Sequence, residues 1–235
     1  MTAPALALEG VVATRRAGGA AFTLTIEALQ LHPGALVAVT GASGTGKSTL
    51  LDIAALARRP DEAARLQVCG ADAGALWSRG AKDALAALRA RHFGYVLQTG
   101  GLVPFLGVGA NAALAQDLAG QRDAAHLAAL AERLGIGALL GRMPASLSVG
   151  QRQRAAILRA LAHRPALVLA DEPTASVHPD MAATILALLA DQAREAGAAV
   201  LLATHDAPAA RAAGFRELPL QPGSASSRLP ALVPA

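Results

Sequence analysis

Aromatic residues are scarce in this sequence: one tryptophan, one tyrosine and four phenylalanines among 235 residues. So little stacking surface argues against a nucleic-acid partner. The positive charges are scattered rather than gathered into a run, although the net formal charge is +4, and this supports the same exclusion. A single cysteine, Cys69, excludes an internal disulfide and fits a reducing compartment. It falls in an apparent strand at 65–69 and reads as a small buried hydrophobe rather than a reactive thiol. Lysine is nearly absent, Lys47 and Lys82 being the only two. Arginine carries the basic balance, and together with abundant alanine it reads as the mark of a GC-rich genome. Long apolar runs are missing as well. The hydrophobic fraction of 53% is largely alanine, and no stretch approaches the roughly 18–20 apolar residues of a spanning helix. The N-terminal MTAPALALEG has neither the basic start nor the long apolar core of a secretory signal, so a cytosolic protein is expected. The length suits one large α/β domain, or a domain with a subdomain.

Glycine, by contrast, is placed with purpose. The stretch Gly41-Ala42-Ser43-Gly44-Thr45-Gly46-Lys47-Ser48-Thr49 follows an apolar, β-prone run (35–40) and leads into a helix-like run (50–59). Strand, glycine-rich turn and helix, with G-x-x-x-x-G-K-S across the turn, is the context of a phosphate-binding P-loop. Glycines let backbone N–H groups curl around an anion, and the helix directs its positive end at the same point. Lys47 reaches the β- and γ-phosphates, and the Ser48 hydroxyl is placed for Mg²⁺.

Along the chain, two β-segments (5–14 and 20–27) flank a turn at 15–19, and His32-Pro33-Gly34 forms a second turn. The helix after the P-loop is expected to stop at Arg58-Arg59-Pro60. A strand at 65–69 and a loop at 70–74 follow, then a helix at 81–92 and a strand at 93–97 ending in Gln98. The region 108–140 reads as helical with breaks at Gly120 and 135–137. Helix 151–163, strand 166–170, helix 180–195, strand 198–203 and a weak segment at 207–220 complete the order. Alternating strand and helix predict an α/β fold whose parallel sheet is covered on both faces. The tail 219–235, rich in Pro, Ser and Gly, is expected to be disordered or loosely packed.

Two further patterns carry chemistry. The apolar strand Leu167-Val168-Leu169-Ala170 ends in Asp171-Glu172, which puts two carboxylates at the tip of a central parallel strand beside the P-loop. Asp171 is placed to hold Mg²⁺ through water. Glu172 points the other way and is placed to orient or deprotonate an attacking water. Leu147-Ser148-Val149-Gly150-Gln151-Arg152-Gln153-Arg154 precedes another helix. Serine then glycine at a helix start expose a hydroxyl and free N–H groups, a second anion site that a single nucleotide pocket has no need of.

As a set these residues resemble the ATP-binding subunits of ABC transporters, over about residues 5–210 and in the family's order. GASGTGKST matches the P-loop, Gln98 in YVLQ the Q-loop glutamine, LSVGQRQR the LSGGQ signature, LVLADEPT the acidic strand, and His205 after AAVLLAT the switch histidine. The resemblance implies a RecA-like P-loop NTPase core with a mostly parallel sheet, an N-terminal antiparallel β subdomain and an inserted helical subdomain at about 99–163, all within residues 1–218. It implies that Mg²⁺ and ATP bind with Gln98 near the metal and His205 on the γ-phosphate, holding Glu172 and water in place. Ser148, Gly150 and Gln151 would then face the γ-phosphate held by Lys47 of a second subunit, in a homodimer or a heterodimer with another ATPase subunit. A separate integral-membrane permease would be the other partner, at the cytoplasmic face of a bacterial inner membrane. Gly101–Leu106, with Asn111 beyond, looks like the stretch that receives the permease in exporters of the macrolide and lipoprotein-release type.

Three positions depart from the family. Val149 replaces the first glycine of the signature pair. His178 stands where a loop normally ends in Leu-Asp, and a histidine cannot supply a permanent negative charge. In the region where an aromatic normally stacks on adenine the chain has Thr14, Arg15 and Arg16, leaving Arg15 or Phe22 for the base and loose base selectivity as the expectation. Val149 and His178 motivate a rival reading as a weakly hydrolysing regulatory ATP-binding module. An ATPase acting on DNA or ribosomes would carry a long coiled-coil insertion or duplicated cassettes, and neither is present.

Overall fold

The structure, a computed structural model, describes residues 3–17 and 20–233. Two long strands, β1 (Leu6–Ala17) and β2 (Ala20–Leu31), pair antiparallel with Leu6 opposite Leu31 and Arg15 opposite Phe22. Of the turn expected at 15–19, residues 15–17 instead continue β1 in register with β2, and residues 18 and 19 lie outside the described residues. β3 (Leu36–Thr40) then runs into the P-loop, and α1 (Lys47–Ala54) leaves it. Next come β4 (Arg65–Val68), β5 (Ala71–Asp72), α2 (Ala73–Ser78), α3 (Lys82–His92) and β6 (Phe93–Val96). Three helices follow, α4 (Val108–Ala119), α5 (Ala124–Arg133) and α6 (Val149–Leu161), and make up the helical part of the chain between β6 and the next strand. The chain returns as β7 (Leu167–Asp171), α7 (Pro179–Ala196), β8 (Ala199–Thr204), α8 (Ala207–Ala212) and β9 (Arg216–Pro219), and closes with β10 (Gln221–Pro222) and β11 (Ser226–Leu229).

Five strands form a wholly parallel sheet in the order β6-β7-β8-β3-β9. Its central strands LVLAD and AVLLAT are buried at every position, as strands covered on both faces must be. The two-residue period of a strand divides these side chains between two cores. Leu167, Leu169, Leu201 and Val39 join α1 and the N-terminal sheet on one side. Val168, Ala170, Leu202 and Ala38 join α4, α6 and α7 on the other. Because both cores seize alternate residues of the same strands, the strand register is fixed, and with it the loops at the C-terminal ends of β3, β6, β7 and β8. Burying one leucine side chain contributes about 1.5–3 kcal/mol, so a one-residue slip of β7 or β8 would cost several such contributions.

Four expectations need correction. The tail forms β10 and β11, and β11 pairs parallel with β2 at the end of a six-stranded sheet ordered β10-β11-β2-β1-β4-β5. Leu229 and Leu232 are buried in the core, so two leucines hold a segment whose composition suggested looseness. Helix α1 stops at Ala54, short of the Arg58-Arg59-Pro60 signal. Leu56 turns left-handed (φ 54°), and the Asp52 carbonyl accepts from both Ala57 and Arg58 N–H groups, a closure of the kind that ends helices. The loop expected at 70–74 contains the start of α2, capped by Asp72, whose carboxylate accepts from Ala75 N–H at 2.9 Å. Cys69 lies just past β4, half-buried at a left-handed turn (φ 47°), and burial raises its thiol pKa.

Candidate active site

The P-loop wraps the start of α1. Gly46 is the helix N-cap at φ 96°, a conformation that favours glycine, and a Cβ there would lie 3.0 Å from the Phe22 ring. Thr45 Oγ1 donates to the Ala42 carbonyl at 2.9 Å and steadies the loop. Lys47 is 7% exposed. Its ammonium donates to the carbonyls of Gly41 (2.7 Å) and Ala42 (3.1 Å), so the loop's own backbone holds the cation in readiness for an anion.

Across from Lys47, β7 delivers two carboxylates in different states. Asp171 is buried, and burial pushes its pKa upward, with Glu172 and Asp52 adding to that; the Ser48 hydroxyl donating to it, and Lys47, pull the other way. A carboxylate kept from water with too little counter-charge is suited to a bound cation. Beneath it, Tyr95 donates its hydroxyl to Asp52 at 2.9 Å, and desolvation together with that carboxylate raises the Tyr95 pKa. The Tyr95–Asp52 pair escaped the sequence reading; the signal was Asp52 one helical turn after Ser48, on the same face of α1.

Glu172 adopts a left-handed backbone (φ 47°), a strained conformation for a residue with a side chain. Its N–H donates to Ala203 O at 2.9 Å, which holds the turn. The side chain is 12% exposed, with one oxygen 3.8 Å from Lys47 Nζ and the other 2.9 Å from His205 Nδ1. The strain therefore aims a carboxylate between an ammonium and an imidazole. One cavity of about 510 Å³ brings together Ser43, Gly44, Gly46, Lys47, Ser48, Thr49, Gln98, Asp171, Glu172 and His205, with Arg15, Phe22 and Ala175 completing the lining.

The signature residues lie elsewhere. Ser148, Gly150 and Gln151 do not line this cavity. Ser148 caps α6 in a capping box, its Oγ accepting from Gln151 N–H at 3.3 Å while the Gln151 side chain accepts from Ser148 N–H at 2.9 Å. Val149 points outward, 57% exposed, as its place at a helix start allows. A Cβ on Gly150 would come 3.1 Å from Ser176 O, so the signature turn is packed on the loop that ends at His178. His178 is the N-cap of α7 without a side-chain cap, and its Nδ1 lies 3.5 Å from Asp180.

Two side chains hold the segment on either side of Gln98, residues 95–107, against the helical part. Arg159 on α6 donates to the Gly101 carbonyl, and to that of Tyr95 at 3.4 Å. Asn111 is 1% exposed, accepts from Val103 N–H and donates to the carbonyls of Val103, Leu106 and Gly107. Phe105 and Leu118 on this side are exposed.

The profile of the family described as ABC transporter matches residues 25–175. The lipoprotein-releasing system ATP-binding protein LolD 1 of Rhodospirillum rubrum is 39% identical over 191 residues, 80% of this chain and 82% of that protein. The macrolide export ATP-binding/permease protein MacB of Nitrobacter winogradskyi is 37% identical over 91% of this chain, which spans only 33% of that protein. Among solved structures, the dimer of the bacterial ABC transporter cassette MJ0796 superposes with a TM-score of 0.79 at 28% identity, covering 91% of this chain and 93% of that one. A dimeric post-hydrolysis state of the same cassette, bound to ADP and Pi, gives a TM-score of 0.81 at 28% identity over 94% of this chain and 96% of that one.

Proposed function

The chain belongs to the ABC transporter family as an ATP-binding subunit, and from that premise we propose that it hydrolyses Mg²⁺-bound ATP between two head-to-tail copies to drive a separate membrane permease. The observation that carries this reading is the Glu172 carboxylate, aimed between Lys47 and His205 in the P-loop cavity. Lys47 and the P-loop amides from Gly41 to Thr49 hold the phosphates and stabilise charge that develops as the terminal phosphoryl group leaves. Glu172 takes the proton of the attacking water, and His205 orients that carboxylate and reaches the γ-phosphate.

The metal residues are Ser48, Asp171 and Gln98. Among the described residues no cluster of three or more His, Cys, Asp or Glu forms a closed metal site, which suits Mg²⁺, an ion that keeps waters and leans on one or two protein oxygens plus substrate phosphates. When bound, the ion neutralises phosphate charge.

Ser148, Gly150 and Gln151 serve the partner copy's nucleotide, a reading supported by their place outside the chain's own P-loop cavity, by the exposure of Ser148 and by the dimeric form of the cassette MJ0796. No described helix is long and apolar enough to cross a membrane. A permease partner accords with the ATP-binding/permease name of the MacB relative, and the reading puts the pair at the cytoplasmic face of a bacterial inner membrane. Docking on the exposed Phe105 side would reach Gln98 through Asn111 and Arg159. A weakly hydrolysing module is the less favoured reading, since the carboxylate, imidazole and ammonium stand together despite His178 and Val149. Phosphate release measured with Mg²⁺ and then with excess EDTA tests the proposal. Turnover should vanish on chelation, and turnover that survives it would overturn the metal-dependent reading.

A further inference from the structure

The phosphate end of the cavity sets two carboxylates, Asp171 and Glu172, beside the Lys47 ammonium. A third carboxylate stands behind them. Asp52 follows Ser48 by four residues on α1, a spacing that puts two side chains on one helix face, about 5–6 Å apart at Cβ. Helix side chains lean toward the N-terminus of their helix, so Asp52 leans back over Ser48. On the sheet, Tyr95 of β6 pairs with Leu169 of β7, and Leu169 and Asp171, two residues apart, face the same way. That face is the one packed on α1, where Leu169 joins the core and Tyr95 packs against it. Ser48, Asp52, Tyr95 and Asp171 therefore share one layer between α1 and the sheet.

Asp52 is half-buried, and its carboxylate takes a hydrogen bond from the Tyr95 hydroxyl at 2.9 Å. Among the described residues it forms no ion pair. Its charge is felt at Asp171, where it adds to the upward push on the pKa. The bond to Tyr95 does not by itself require that charge. A neutral amide oxygen accepts a hydroxyl as well, whereas neighbouring carboxylates without counter-charge repel each other. The repulsion becomes attraction once a divalent cation sits at Ser48 and Asp171.

We propose that Asp52, held by the Tyr95 hydroxyl, is a positioning residue of the metal site, a carboxylate placed behind Ser48 and Asp171 to tighten their hold on Mg²⁺. The proposal rests on the metal-dependent reading above. Asp52 does not line the cavity, so it acts through its neighbours and its charge. Groups behind the ligands of a metal commonly change its affinity by about 10–100-fold. A carboxylate in this role needs a fixed place, and the hydroxyl of Tyr95 supplies it.

Titration calorimetry on the full chain with the β,γ-imido analogue of ATP, once in excess Mg²⁺ and once in excess EDTA, tests this. The ratio of the two Kd values measures how far the metal tightens the nucleotide, and it cancels any change that affects both forms alike. Wild type should bind far more tightly in Mg²⁺. Asp52→Asn keeps an acceptor for Tyr95 and removes only the charge. Its ratio should fall by about tenfold or more, with the Kd in EDTA unchanged or tighter, because one repulsion on the phosphates is gone. Tyr95→Phe keeps the charge but releases it, and its ratio should fall by about two- to tenfold. A ratio unchanged in either variant would overturn the proposal. So would equal weakening in Mg²⁺ and in EDTA, the mark of a mere pin between α1 and β6. A wild-type ratio near one sinks the metal-dependent reading, and the proposal with it.

Discussion

Replacing Glu172 by glutamine changes one charge and almost no shape. The left-handed turn at this residue is held by its own N–H on the Ala203 carbonyl, which the substitution preserves. Lys47 keeps two carbonyl acceptors, Gly41 and Ala42. Stability should therefore change by less than about 1 kcal/mol. Chemistry should change far more, because an amide cannot accept the water's proton; loss of a positioned general base costs about 10²–10⁴ in rate. Binding should move the other way. Glu172 lies 3.8 Å from the Lys47 ammonium, so its charge stands within roughly 5 Å of any γ-phosphate that lysine holds, a repulsion of about 3 kcal/mol at an effective dielectric of about 20. Counter-charge from the metal and Lys47 leaves about a third of that, about 1 kcal/mol, and ATP should bind about fivefold more tightly. Phosphate release and nucleotide Kd measured on the same preparation check both halves. Turnover within threefold of wild type would refute the assignment of the base.

Two further outcomes follow from local structure. His178→Asp should add the side-chain cap that α7 lacks, contributing about 1 kcal/mol and raising Tm by about 2–4 °C in a chain of this size. A thermal melt in which the variant is no more stable contradicts it; the exposed His178–Asp180 pair that is lost contributes little. The pH dependence of stability should be set partly by His163, which is 3% exposed and whose pKa is lowered by burial, opposed by its bond to the Phe93 carbonyl. Burial also lowers His92 and His126. In the unfolded chain these imidazoles take a proton near pH 6.5, while the folded chain resists it, so the unfolded state binds more protons. The stability they contribute is whole above pH 6.5 and is lost as pH falls below it. Melts between pH 7.5 and 5 should show a falling Tm, less steep in His163→Gln, and equal slopes would count against His163.

The site was legible where the backbone itself is encoded locally. Glycines at 44 and 46 demand a turn, Lys47 and Ser48 open a helix, and Asp171-Glu172 close an apolar strand, so these residues could be placed from spacing alone. Long-range pairing was hidden. β11 has four residues, and its two inward positions, Ser227 and Leu229, are too few to show a period against a background of Pro, Ser and Gly. Its partner β2 lies some two hundred residues upstream. The end of α1 was misplaced because Pro60 and two arginines are a composition signal, whereas the turn was made earlier by Leu56. The contact of the Phe22 ring with the P-loop at Gly46 is a fact about packing between β2 and α1 that no local pattern carries.

In the proposed dimer each nucleotide, once on Lys47, is enclosed by Ser148 and Gly150 of another copy. Light scattering coupled to size exclusion, with bound ATP counted in each peak, tests it most directly in the Glu172→Gln background. Glu172→Gln alone should run as a monomer without nucleotide and as a dimer carrying two ATP with it, one on each copy's P-loop. Adding Ser148→Arg should leave a monomer that still holds one ATP, because Ser148 lies outside its own copy's cavity. A Ser148→Arg protein that dimerises normally, or one whose monomer has lost ATP, would contradict a site shared between two copies.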